Sequence, residues 1–164
     1  MTEGYNFHFI DSVDMTAIAS SVTELFGVPR SSILVRAWEV DKFVTIGQEV
    51  VGVPTVLIEH NPPIDGDYIS FSGGEEFTVL TGNLSELLVA SQVCRLVRSR
   101  AILPAKGVVS DALWVLVAPD GSSGLVVVDL DDLDEGVFTI TGAVQRIPGA
   151  PEIPVVDPPS GLTS

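Results

Sequence analysis

The chain has 164 residues, 46% of them hydrophobic, with a mean hydropathy of +0.42 and a formal net charge of −14 from 22 acids against 8 bases. That apolar content does not make a membrane span: the longest apolar run, Ala112 to Ala118, is seven residues, against the roughly 20 a spanning helix needs. The acidic surplus disfavours direct contact with a phosphate backbone, so nucleic acid is excluded as an expected partner.

The length is that of one domain able to bury a core without staples. Residues 1–146 form the expected globular unit. Met1-Thr2-Glu3-Gly4 has neither the basic nor the apolar region of a secretory signal, and a single cysteine, Cys94, cannot form an internal disulfide. Both features lead to the expectation of a cytoplasmic, reducing compartment.

Tyr5 to Ile10 alternates as a first strand with Phe7 and Phe9 inward. Asp14 then caps a helix with Met15, Ile18, Ala19, Val22, Leu25 and Phe26 on one face, and Gly27 and Pro29 end it. Ile33 to Val40 reads as a strand with Arg36 and Glu39 on opposite faces. Asp41-Lys42 turns the chain toward a short partner at Phe43 to Ile46. Val53 to Glu59 is the next strand, followed by a stiff polar loop, His60 to Asp67. Tyr68 to Ser72 and Phe77 to Leu80 read as two strands joined through Gly73-Gly74-Glu75-Glu76.

The stretch from Asn83 to Leu130 organises the rest. Asn83 with Glu86 predicts a capped helix start, and the apolar face that follows, Leu84 through Val97, is wide enough to predict a largely buried helix. Arg95, Arg98 and Arg100 gather at its carbonyl end. A short strand, Ala101 to Leu103, precedes a hairpin of Leu113 to Ala118 and Leu125 to Val128, apolar on both faces and joined across Pro119 to Gly124. The acidic turn Asp129 to Gly136 leads to a last strand, Val137 to Thr141, with Phe138 and Ile140 on one face. Residues 147–164 are Pro-rich and predict an extended or disordered tail. Consecutive hairpins with two helices predict an α+β fold, an antiparallel or mixed sheet packed by those helices.

Chemistry is sparse. The sequence contains no Walker lysine motif, no Gly-x-Gly-x-x-Gly, no Gly-x-Ser-x-Gly and no Cys-x-x-Cys. A calcium loop beginning at Asp129 needs Gly at 134 and Glu at 140, where the chain has Asp134 and Ile140. His8 and His60 are the only histidines, and a shared metal or a base role requires folding to bring them together. Cys94 falls on the inward stripe, and Trp38 and Trp114 lie in apolar strands, which reads as core packing. No cofactor and no catalytic residue is expected. The acids of the loops remain: Asp65 and Asp67 beside Tyr68, Glu75 and Glu76, and the run Asp129, Asp131, Asp132, Asp134 and Glu135. Two readings stand for such charge, solubility and complementarity to a basic protein, which raises association rates and rejects wrong partners.

The helix from Leu87 to Arg98, the strand from Ala101 to Leu103, then Leu113-Trp114-Val115-Leu116-Val117-Ala118-Pro119-Asp120-Gly121 and the Asp-rich turn together resemble small acidic α/β proteins encoded beside bacterial polymorphic toxins, where they serve as immunity proteins. The likeness spans roughly a third of the chain and rests on pattern. It implies a cytoplasmic inhibitor that binds its cognate toxin stoichiometrically and catalyses nothing, and it assigns no functional residue. The leading expectation is thus a non-catalytic protein-binding module with a basic protein partner, which the resemblance implies is a toxin, contacted through the ten residues Asp65, Asp67, Tyr68, Glu75, Glu76, Asp129, Asp131, Asp132, Asp134 and Glu135. The alternatives are a small-molecule-binding protein or enzyme with a pocket between sheet and helices, and a structural or assembly accessory protein that docks through its tail.

Overall fold

A computed structural model describes residues 4–60, 68–108 and 110–159. Nine strands build one mixed sheet: β1 (Tyr5–Phe9), β2 (Ile33–Glu39), β3 (Lys42–Thr45), β4 (Val56–His60), β5 (Ile69–Gly73), β6 (Ala101–Pro104), β7 (Leu113–Val117), β8 (Ser123–Val128) and β9 (Ile140–Ala143). Their order across the sheet is β3-β2-β4-β5-β1-β6-β7-β8-β9. All neighbours are antiparallel except β2 and β4, so the fold is α+β with a mixed sheet.

Two twelve-residue helices, α1 (Met15–Phe26) and α3 (Glu86–Val97), lie on one face. Alternation decides which residues meet them. Phe7 and Phe9 of β1, Ile58 of β4 and Phe71 of β5 point to the helices and are fully buried with Ile18 and Val22 of α1 and Val93 of α3. Phe7 stacks on Phe71 at 4.6 Å. The start of α1 is held by Asp14, whose carboxylate accepts from the Thr16 amide at 2.9 Å, and its end by Gly27 at φ 70°, as the sequence predicts.

The second core lies on the other face, over β6 to β9 only. Ile102, Leu116, Val126 and Ala143 are fully buried there. Ile147 and Ala150, from the chain beyond β9, complete this core at 1% exposure each. Farther on, the Ala143 amide donates to the Pro154 carbonyl at 2.8 Å and the Val156 amide donates to the Ala143 carbonyl at 2.9 Å. The outer edge of β9 is thereby paired with residues 154–156. On the same face of β1, β2, β4 and β5 the residues are Asn6, His8, Leu34, Arg36, Trp38, Leu57, Glu59, Ser70 and Ser72, none fully buried.

Four local expectations change. Phe77 to Leu80 is no strand: Glu75–Leu80 is a six-residue helix, α2. Both edges of β5 are already paired, with β4 and β1, so a further strand has nothing to pair with. Phe77 instead packs beneath Phe71 and Tyr5, directly against Gly73, where a β-carbon would come within 2.4 Å of its ring. The start of the second long helix moves by two residues, because Ser85 rather than Asn83 caps α3, its hydroxyl accepting from the Leu88 amide at 3.2 Å. That helix buries one side, Val89, Ala90, Val93 and Cys94, and leaves Leu88 50% exposed. A helix laid on a sheet meets it on one side only. Finally, the last strand begins at Ile140, and Phe138 leaves the sheet edge altogether.

Candidate acidic binding edge

Val128 ends β8 and Asp129 turns the chain into a five-residue helix, α4 (Leu130–Asp134). Asp129 sits at the N-cap, its carboxylate accepting from the Asp132 amide at 3.0 Å. Acids at the first turn also suit the positive end of the helix dipole. Gly136 at φ 81° ends the turn, and its amide donates to the Leu133 carbonyl at 2.9 Å. The Asp129 amide donates to the Thr139 carbonyl at 2.9 Å, which closes the excursion. Asp131, Asp134 and Glu135 are left exposed, while Asp129 and Asp132 are half-buried.

Phe138 anchors this segment to the sheet. Its ring stacks on His8 at 5.5 Å and meets Tyr68 edge-on at 5.4 Å and Trp114 edge-on at 5.0 Å. Tyr68 also touches His8, 4.9 Å between ring centroids. His8 faces Ser70, with Nδ1 3.2 Å from the hydroxyl, and burial lowers its pKa to about 4. It is a neutral ring in an aromatic nest at neutral pH.

Beside α4 lies a groove of about 510 Å³. The helix supplies Leu130, Leu133 and Asp134, the end of β6 supplies Pro104, the β6–β7 connection supplies Asp111, and β7 supplies Trp114. The Trp114 indole donates to the Asp111 carbonyl at 3.1 Å. Trp114, expected in the core, is half-buried: it packs against the second core and also lines this groove. A signal existed in the charge pattern. Residues 107–145 contain Asp111, Asp120, Asp129, Asp131, Asp132, Asp134 and Glu135 and not one Lys, Arg or His.

The predicted contact residues do not all meet. Asp65 and Asp67 lie outside the described residues. Tyr68 joins the α4 segment through Phe138. Glu75 and Glu76 open α2, which follows β5, four strand spacings or about 19 Å from β8. Moreover, α2 buries Phe77 in the helix-side core, whereas Leu133 of α4 packs on the other. Glu76 accepts from the Thr55 hydroxyl at 2.9 Å.

The histidines do not meet either. His60 pairs with Ile69, on the helix side, and His8 pairs with Ser70, on the opposite side. Among the described residues, no group of three or more His, Cys, Asp or Glu side chains could hold a metal ion. Cys94 is buried, and burial pushes its thiol up to about 12, far from thiolate chemistry at neutral pH. Among the described residues, no helix is long and apolar enough to cross a membrane.

No protein-family model matches the chain, and neither the curated proteins nor the solved structures compared with it give a match.

Proposed function

We propose that this chain is a non-catalytic protein-binding module that engages a basic protein through the α4 edge, in the manner of an immunity protein that neutralises a cognate toxin. The observation that supports it most is segregation of charge. Asp131, Asp134 and Glu135 are exposed on one short helix, inside a 39-residue stretch, 107–145, that carries seven acids and no base. The Arg36–Glu59 and Arg100–Asp11 ion pairs lie elsewhere. Clustered charges of one sign project a field that steers an oppositely charged partner and repels phosphate.

Rigidity supports the same reading. The α4 segment is capped, closed by the Asp129–Thr139 hydrogen bond and pinned by Phe138, so its carboxylates enter a complex with little conformational entropy to lose. A basic toxin surface that ordinarily contacts nucleic acid would find in this edge a substitute for phosphate. The test is the salt dependence of binding to a basic protein partner. Steeply weaker binding as ionic strength rises supports the reading, and a flat response refutes it.

A further inference from the structure

The groove beside α4 has a chemistry that exposed carboxylates alone would not create. Leu130, Leu133 and Asp134 stand at i, i+3 and i+4 and so share one face of α4. An apolar wall therefore ends in a carboxylate. Leu130 is 47% exposed in spite of its size. The β6–β7 connection brings a second exposed carboxylate, Asp111, to the same groove. Trp114 presents a ring whose only polar atom is already bonded to the Asp111 carbonyl, which leaves it no polar demand on a ligand.

Resting on the reading of the α4 edge as a binding surface, we propose that this groove receives an arginine side chain from an extended segment of the basic protein partner. The aliphatic stem packs on Leu130 and Leu133. The guanidinium lies on Trp114 within reach of Asp111 and Asp134. Arginine fits better than lysine because its planar head stacks on an aromatic ring and still presents donors to two carboxylates. The groove, at about 510 Å³, has room for the flanking residues of that segment.

The experiment uses the full chain carrying Trp38→Phe, so that Trp114 gives the single indole signal in a ¹H–¹⁵N spectrum. It is titrated with the blocked peptide acetyl-Gly-Gly-Arg-Gly-Gly-amide and with the same peptide carrying neutral citrulline in place of arginine. The proposal expects a saturable shift of the Trp114 indole signal with the arginine peptide, little shift with citrulline, and affinity weakened about threefold by either Asp111→Asn or Asp134→Asn. If the arginine peptide shifts α4 amides but not Trp114, and Asp131→Asn weakens it as much as Asp134→Asn, the groove is wrong and the acidic edge stands. If neither this peptide nor a hexa-arginine peptide gives any saturable shift, both fall.

Discussion

Phe138 lies on His8 with 5.5 Å between ring centroids and 28° between ring planes, joining the acidic segment to the central strand of the sheet. Burial, not the stacking itself, keeps that imidazole neutral. His8 is held at about 4 against an ordinary 6.5, chiefly by burial. Between those values the unfolded chain binds a proton that the folded chain does not. Stability therefore falls as pH drops below 6.5 and levels off for this group near 4, a loss of up to about 3 kcal/mol. Chemical denaturation across that interval is expected to show the loss, and His8→Gln is expected to flatten most of it. An unchanged slope in the variant would remove His8 as the cause.

The β2–β3 turn holds a correctable strain. Val40 sits at φ 60° and is 98% exposed, and the Asp41 amide donates to the Glu39 carbonyl at 2.7 Å. A β-branched residue pays for left-handed backbone with about 1–3 kcal/mol, and tight hairpins with one such residue prefer glycine there. Val40→Gly is expected to raise stability by about 1 kcal/mol after the entropy of glycine is subtracted. Urea midpoints of the two proteins decide it.

Gly73 shows the opposite sign. A β-carbon there would sit 2.4 Å from the buried Phe77 ring, so Gly73→Ala must displace a core aromatic. Destabilisation of about 1–3 kcal/mol is expected, readable as a lowered Tm.

Ile147 belongs to the second core although it lies past the last strand. It is 1% exposed, and its side chain lies against Gly124. Ile147→Ala is expected to cost about 2–4 kcal/mol, whereas Pro158→Ala, at an exposed position, is expected to change stability by less than about 0.5 kcal/mol. Equal effects would place no core beneath Ile147.

Much of this fold was legible wherever a local signal decided it. Asp14, Gly27 and Pro29 delimit α1 because caps act within a few residues, and Phe7 and Phe9 declare their face by alternation. What failed depended on distant neighbours. Phe77-Thr78-Val79-Leu80 suits a strand or a helix turn equally, and only the occupied edges of β5 exclude the strand. Phe138 fits an alternating pattern with Ile140, yet its partners His8, Tyr68 and Trp114 come from three separate strands or their ends. The candidate site divides the same way. The acids of α4 were visible as a run, but the groove was not, since its walls join residues 104–114 to 130–134 through the β7–β8 pairing.

The most direct measurement is of the full chain and of the variant Asp131→Asn/Asp134→Asn/Glu135→Gln, each bound to the protein partner isolated from the source cell, between about 0.01 M and about 1 M ionic strength, where the screening length shrinks from about 30 Å to about 3 Å. The account predicts a basic partner, affinity that falls at least about tenfold with salt, and a similar loss in the variant at low salt with its Tm unchanged. An affinity that neither salt nor the three substitutions alter would contradict it.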